Sequence, residues 1–319
     1  MVVSGTKIAD EIGTSRSEVW RLIQQLRGLG VEIAGHPATG YRLESVPDLL
    51  LPEVIAPLVQ GTIFASHIHH YFKIGSTNVA AMDAAQRGEP EGAVFFGEEQ
   101  TSGRGRGGHS WHSARSVGIY VSVVLRPQLA PADALILSLV AGLTVAAAVE
   151  EVTGVKPDLR WPNDLLLARE MVNESGERRL LERKFCGILT ELNAEATRVR
   201  YAVVGIGMNV NQQSFPADLQ SLATSLRIET GRSWSRVELA AALLKSLDRK
   251  YRAATRGNRV EMLRHFEERS SYARGRHVHV DENGGYEGIT EGLDARGFLQ
   301  VRTSEGMKTV LSGGVRGIE

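Results

Sequence analysis

The chain has a single cysteine, Cys186, among 319 residues, so no intramolecular disulfide can form. That fits a reducing compartment and leads us to expect a cytoplasmic protein. It has no excess charge: Lys plus Arg and Asp plus Glu both number 37. A globally basic surface for nucleic acid or membrane is therefore excluded, and any such surface must be local. The opening residues, Met1 to Lys7, lack the basic region and apolar core of a signal peptide. One run alone is long and apolar, Ala134 to Val149, bounded by Asp133 and Glu150. It falls short of the roughly 20 residues of a membrane span. It reads as a buried core helix, with no membrane role. No internal repeat is visible. The length suits roughly two to three domains of ~100–200 residues each.

What is present gathers around Glu98 to Trp111. Here Gly103 and Gly105 alternate with Arg104 and Arg106, and Gly107, Gly108 and His109 follow. Apolar strand-like runs, Ala93 to Phe96 and Gly118 to Leu125, flank it. Glycine lets a backbone approach a ligand closely, successive N–H groups can cradle an anion, and arginine adds a fork that fits phosphate or carboxylate. The stretch reads either as a loop that closes over such a ligand or as a solvated Gly/Arg loop.

Residues 4 to 43 form a small module. Thr6 to Ile12 reads as a helix stopped by Gly13. Ser15 and Glu18 form a capping box for a second helix, along which Val19, Leu22, Ile23 and Leu26 recur at helical spacing and which the pair Gly28 and Gly30 ends. A hairpin follows, Val31 to Ile33 and Tyr41 to Leu43, around the turn-rich Gly35 to Gly40. This is the pattern of a winged helix-turn-helix. Arg16, Ser17, Arg21 and Gln24 face outward, as DNA-contacting side chains would. A helical hairpin with no nucleic-acid role is the alternative. The helix that usually precedes such a pair is lacking, which leaves Ile8, Ile12, Leu22 and Leu26 short of cover.

Pro47, Pro52 and Pro57 mark a linker region with a short helix. Ser76 or Thr77 can cap a helix from Val79 to Gln86, which alone would explain those hydroxyls. Trp161-Pro162-Asn163-Asp164 reads as a rigid turn at a strand end. Its Asn and Asp either form the turn or face a ligand or Mg²⁺. The charged residues 168 to 183 read as a surface loop. Lys184 to Leu192 then begins a strand with a lysine at its entrance. Tyr201 to Val210 is an apolar strand whose Gly205 and Gly207 suggest close backbone approach. An amphipathic helix covers Val237 to Ala254. From Gly275 short strands and turns at Asn283-Gly284-Gly285, Ala295-Arg296-Gly297 and Ser304-Glu305-Gly306 make a small all-β module.

Taken in order, Ser76-Thr77-Asn78, Gln100 to Trp111, Trp161 to Asp164, Lys184 to Leu189 and Gly205 to Asn209 resemble the biotin protein ligase family. The nearest likeness is to its two-function members, which also repress the biotin operon. Gly288 to Gly314 resembles the family's SH3-like module. The resemblance implies an α+β fold: a winged helix-turn-helix lacking its first helix (1–45), a linker (46–62), a catalytic domain with helices on a central mixed sheet (63–270) and an SH3-like β-barrel (271–319). It implies ATP-dependent activation of biotin to biotinyl-5′-AMP and transfer to a lysine of biotin carboxyl carrier protein, with biotin as substrate and ATP and Mg²⁺ as cofactors. Biotin-responsive repression at an operator DNA and a homodimer through the central sheet are further implications.

Carried over residue by residue, Lys184, Arg104 and Arg106 match the catalytic cations. Ser76, Thr77, Asn78, Gln100, Gly103, Arg104, Arg106, Lys184 and Gly187 match biotin-binding positions. Arg106, Trp111, Asn163, Asp164 and Asn209 match the nucleotide side, with Asp164 toward the metal. Gly107-Gly108-His109 departs from the more cationic loop usual in the family and implies weaker adenylate retention. Two other readings compete: a biotin-sensing repressor with vestigial catalysis, and a lipoate or octanoyl transferase of related fold. Lys184 with Arg104 and Arg106 favours the enzyme over the first. The Gly/Arg loop and the β module speak against the second.

Overall fold

The computed structural model describes residues 2–28, 31–36, 39–45, 48–172, 178–282 and 284–318. They divide into two compact units, Met1–Leu49 and Leu50–Glu319. In the first, β1 (Val2–Val3) precedes α1 (Gly5–Ile12) and α2 (Arg16–Gly28), and β2 (Glu32–His36) and β3 (Gly40–Ser45) form the hairpin. The sheet order is β1-β3-β2. Ser4 Oγ accepts from Lys7 N at 3.1 Å to start α1, and Gly13 ends it at φ 67°. Ser15 Oγ accepts from Glu18 N at 3.2 Å. The Glu18 carboxylate bonds Arg21 instead of returning to the Ser15 backbone, so the described bonds complete half of the expected capping box. Ala9, Val19 and Ile23 form a small core with Ile8, Ile33 and Tyr41 against it. Ile12 and Leu26, expected to lack cover, are 54% and 41% exposed, and Trp20 is 58% exposed. The expected turn residues Pro37 and Ala38, and Gly30 at the end of α2, lie outside the described residues.

The second unit opens with α3 (Pro52–Leu58), in the stretch expected to be a linker with a short helix. Leu50, Ile55 and Val59 are fully buried there and belong to the main core. Then come β4 (Ile68–Tyr71), α4 (Thr77–Gln86), β5 (Val94–Gly97), β6 (Gly118–Leu125), α5 (Leu135–Thr153), β7 (Asp158–Arg160), β8 (Asp164–Val172), β9 (Arg178–Ala194) and β10 (Val199–Asn209). The short α6 (Leu226–Thr230), α7 (Arg236–Thr255) and α8 (Arg259–Glu268) follow. The sheet order is β4-β5-β6-β10-β9-β8-β7, mixed because β4 pairs parallel to β5 while the other pairs are antiparallel. α5 is apolar all round, as a helix enclosed by other elements must be. It is long and apolar enough to cross a membrane, but most of it is buried within this unit. It packs with α7 and α8 against the sheet, and Val121, Val123, Val204 and Ile206 join that core. On the other face α4 covers Phe95, Val124 and Val203.

Two expectations are corrected. Residues 168 to 183 are not a loop: β8 runs to Val172 and β9 begins at Arg178, paired in register. Residues 173–177 between them lie outside the described residues. A projecting two-stranded ribbon can carry charge on its solvated faces, so polarity alone does not mark a loop. For the same reason Lys184 lies well inside β9, not at its entrance.

The last unit of sheet is β11 (Arg274–Val280), β12 (Tyr286–Leu293), β13 (Leu299–Thr303), β14 (Gly306–Val310) and β15 (Val315–Gly317), in the order β14-β13-β12-β11-β15. Trp161 Nε1 donates to the Gly297 carbonyl at 2.9 Å and fastens this sheet to the turn after β7. At the end of β5, Glu98 is buried with Arg236, 2.8 Å apart, and accepts from His70 Nε2 at 3.2 Å and from Leu50 N at 2.9 Å. Burial alone would raise its pKa. The His70 bond, the Arg236 charge and the Leu50 N–H outweigh burial and hold it at about 2. This fixed ion pair sits where the site loop leaves the sheet.

Candidate active site

The floor of the site is a row of glycines. Gly207 of β10 faces Gly187 of β9, and Gly205 faces Leu189. A Cβ on Gly207 would stand 2.4 Å from Trp111 Nε1, and one on Gly187 would stand 3.0 Å from Trp111 Cζ3. A Cβ on Gly205 would stand 1.9 Å from Asn78 Oδ1. The indole and the amide therefore occupy the space that side chains would take.

One end of the site is polar and narrow. Ser76, Thr77 and Asn78, at the start of α4, are buried. The capping explanation of the hydroxyls fails, because α4 starts without a side-chain cap bond. Thr77 Oγ1 and Thr77 N instead meet Gln100 Oε1 at 3.1 and 2.8 Å. Gln100 Nε2 donates to Ser113 Oγ at 2.8 Å. Ser122 Oγ lies 2.6 Å from Asn78 Oδ1 and 2.8 Å from Thr77 Oγ1. Asn78 Nδ2 donates to Glu191 at 2.9 Å. Ser76, Thr77, Asn78, Gln100, Arg104, Arg106 and Gly187 line one cavity of about 40 Å³.

The other end is charged and wider, a cavity of about 430 Å³ lined by Arg160, Asp164, Asn209, Phe215 and Arg316 among others. Asp164 pairs with Lys184 Nζ at 2.5 Å and with Arg160 Nη2 at 2.7 Å. Burial would raise the Asp164 pKa, but these two cations bring it below the usual value. Lys184 also sits 5.4 Å from the Trp111 ring centroid, a cation–π distance. Lys184 and Trp111 line both cavities. Cys186, two residues after Lys184, is buried, and burial raises its thiol pKa far above the ordinary range. It is an inert core residue.

Asn163 and Asn209 are engaged by backbone. Asn163 Nδ2 donates to the Ile188 carbonyl at 2.9 Å, and Asn209 Nδ2 to the Thr224 carbonyl at 3.0 Å. Asn163 still lines the polar cavity and Asn209 the charged one.

The Gly/Arg stretch is a tight, backbone-bonded hairpin. Trp111 N donates to the Gly103 carbonyl at 2.8 Å, and Gly105 N to the His109 carbonyl at 2.6 Å. A Cβ on Gly103 would meet the Trp111 carbonyl at 2.5 Å. Gly107 and Gly108 both have positive φ, 66° and 82°. Another residue there would pay roughly 1–2 kcal/mol for the left-handed conformation, so glycine suits both positions. Arg104 is largely exposed, 4.0 Å from Glu191. Arg106 donates to the Ser312 and Gly313 carbonyls of the C-terminal sheet. Burial lowers its pKa, against the pull of Asp164 and Glu282.

The described residues hold no group of three or more His, Cys, Asp or Glu with metal-binding geometry. Asp164, the expected metal position, is ion-paired with Lys184 and Arg160.

Residues 73–209 match the Biotin/lipoate A/B protein ligase family, residues 1–42 an HTH domain and residues 275–315 the Biotin protein ligase C terminal domain. The chain is 34% identical to the bifunctional ligase/repressor BirA of Bacillus subtilis (strain 168), over 97% of this chain and 92% of that protein. The chain belongs to the biotin protein ligase family. Its likeness to a biotin–[acetyl-CoA-carboxylase] ligase of Mycobacterium tuberculosis is 32% identity, over 70% of this chain and 79% of that one. Among solved structures, the biotin protein ligase of Aquifex aeolicus in complex with biotin and ATP superposes with a TM-score of 0.66 at 28% identity, covering 79% of this chain and all of that one.

This biotin ligase thus has the expected fold in outline: an N-terminal helix-turn-helix, a mixed α/β catalytic region and a C-terminal family domain. It is a ligase, with biotin as substrate and ATP as the activating nucleotide. The family's C-terminal domain, matched in full order, sets it apart from the lipoate and octanoyl reading. Sequence reasoning missed Arg160, Ser113, Ser122 and Glu191. Only Ser122 left a trace in the chain, as the one polar residue within the apolar run Ile119 to Leu125 other than Tyr120.

Proposed function

We propose that the 40 Å³ cavity receives the ureido end of biotin and the 430 Å³ cavity receives ATP, with Lys184 at their junction. The observation that carries this is that Lys184 and Trp111 line both cavities. A carboxylate oxygen of biotin attacks the α-phosphorus, and the bond to pyrophosphate breaks. The lysine amine of a biotin carboxyl carrier protein then attacks the acyl carbon, AMP leaves and the amine's proton is lost to solvent. Lys184 opposes the charge that two anions bring together, and Asp164 holds its ammonium in place. Arg104 and Arg106 supply further positive charge once they exchange Glu191 and the Ser312 and Gly313 carbonyls for ligand oxygens. Ser76, Thr77, Asn78, Gln100, Gly103 and Gly187 surround biotin. Trp111, Asn163, Asp164 and Asn209 shape the nucleotide side. The narrow cavity requires the Gly/Arg hairpin to move aside for entry and return to exclude water. Mg²⁺ would come on nucleotide phosphates, as that ion commonly does.

Pyrophosphate exchange into ATP tests the reading. It should require biotin and fail with lipoate; exchange that is independent of biotin, or equal with lipoate, overturns it.

Biotin-responsive repression is the second role. Arg16, Ser17 and Trp20 of α2, Thr6 of α1 and Thr39 and Tyr41 of the hairpin line one groove of about 770 Å³. Arg21 pairs with Glu18, and neither Arg21 nor Gln24 lines that groove. Binding to DNA upstream of the biotin genes should strengthen with biotin and ATP; equal affinity for unrelated DNA under both conditions removes this role. We further read the chain as a cytoplasmic homodimer joined through the central sheet, with the C-terminal sheet as an SH3-like barrel. The domain limits are taken as 1–45, 46–62, 63–270 and 271–319.

A further inference from the structure

Ser122 lies in the middle of β6 with no exposed surface. Nothing in the reaction above uses it, yet it touches two of the side chains that line the polar cavity. The protons in this cluster can be followed one by one. Glu191 only accepts, so the nitrogen end of the Asn78 amide must face it, at 2.9 Å. The same nitrogen reaches the Leu189 carbonyl at 3.4 Å. Asn78 Oδ1 therefore points the other way, and it carries no proton. The 2.6 Å contact between Ser122 Oγ and Asn78 Oδ1 must use the serine's own proton.

The consequence passes to Thr77. Gln100 Oε1 is fixed by Thr77 N at 2.8 Å, because Gln100 Nε2 is turned to Ser113. The Thr77 hydroxyl proton then has two acceptors, Gln100 Oε1 at 3.1 Å and Ser122 Oγ at 2.8 Å. Either choice commits the proton to a protein acceptor. Only a lone pair of Thr77 Oγ1 is left to face a ligand.

We infer that Ser122 is a positioning residue: with Asn78 locked by Glu191, it acts together with Gln100 to hold Thr77 as a hydrogen-bond acceptor, so that the cavity selects a ligand presenting an N–H, such as the ureido group of biotin. Gly205 is part of the same device, since only a glycine leaves room for Asn78 Oδ1 over the strand. The inference rests on the biotin-ligase reading of the cavity.

The test is a mutant cycle on the full chain, read by biotin-dependent pyrophosphate exchange. Ser122→Ala should raise the KM for biotin about tenfold, the size of one lost hydrogen bond in a buried site. The kcat at saturating biotin and the KM for ATP should stay within about twofold of wild type, because neither senses the Thr77 proton. Thr77→Val should raise the biotin KM at least as much, and the double variant should be no worse than Thr77→Val alone. Ser122→Cys is slightly larger and keeps a weaker donor; it should shift KM the same way by less, and it carries the cycle if Ser122→Ala does not fold. Additive effects, or a matching loss in kcat and ATP KM, overturn the positioning role. A wild-type chain without biotin-dependent exchange overturns the ligase reading beneath it, which separates the two failures.

Discussion

The catalytic sheet and the N-terminal helix pair are built with very different margins. In the second unit the seven-stranded sheet is covered by α5 and α7 on one face and α4 on the other. Its polar side chains are tied to fixed partners: Glu98 to Arg236, Asp164 to Lys184 and Arg160, Asn78 to Glu191 and Ser122. In the first unit the core centres on Ala9, Val19 and Ile23. Ile12, Trp20 and Leu43 are each more than half exposed. The lesson is that a site that aligns reacting atoms is overdetermined by its neighbours, while a surface that meets a partner keeps its side chains exposed. Substitutions should therefore act sharply in one region and weakly in the other.

The largest effect should come from Glu98→Gln. It leaves Arg236 buried without its counter-charge, a defect of about 3–5 kcal/mol. The pH dependence has a definite sign. Glu98 titrates at about 2 in the folded chain against an ordinary 4.5. Its stabilisation is present above pH ~4.5 and is lost as the pH falls toward ~2, with an overall size of about 3 kcal/mol. Thermal midpoints across that range should fall more steeply for wild type than for Glu98→Gln. Parallel curves would mean the pair is not the anchor described.

Lys184→Ala comes next. Losing a preorganised cation at the junction should slow adenylate formation by ~2.7–4 kcal/mol of barrier, a hundredfold or more. Pyrophosphate exchange by the variant at near wild-type rate would refute the assignment. Gly207→Ala should cost less, about 1–3 kcal/mol, by pushing Trp111 off the floor. Tryptophan fluorescence and exchange activity should change together; an unaltered spectrum would contradict the packing.

The smallest effects belong to the first unit. Arg16→Ala should leave stability within about 0.5 kcal/mol and leave exchange untouched. In DNA binding it should reduce the salt dependence by about one phosphate contact. A variant that loses exchange as well would erase the contrast between the two regions.

The site was legible where chemistry needs a particular residue type in a local pattern. Gly103 to Arg106, Trp161 to Asp164 and Lys184 to Gly187 are such patterns, and Arg104, Arg106, Asn163, Asp164, Lys184 and Gly187 from them line the two cavities. The β8–β9 ribbon was not legible, because charged residues on two solvated faces look like a loop along the chain. Arg160 and Glu191 were not legible either, since the ion pair depends on the strand next door and the amide lock on the helix packed over the sheet.

By itself the sequence settled the family, the order of the parts and the residue types of the site, because spacing and composition are properties of the chain. Only the tertiary structure decided what those residues do when idle. Lys184 is held by Asp164, Arg106 by two carbonyls of the C-terminal sheet, and Thr77 by a buried serine 45 residues downstream. Those partners are set by register across strands and by glycines that leave space for them. Neither register nor space is written in any one stretch of the chain.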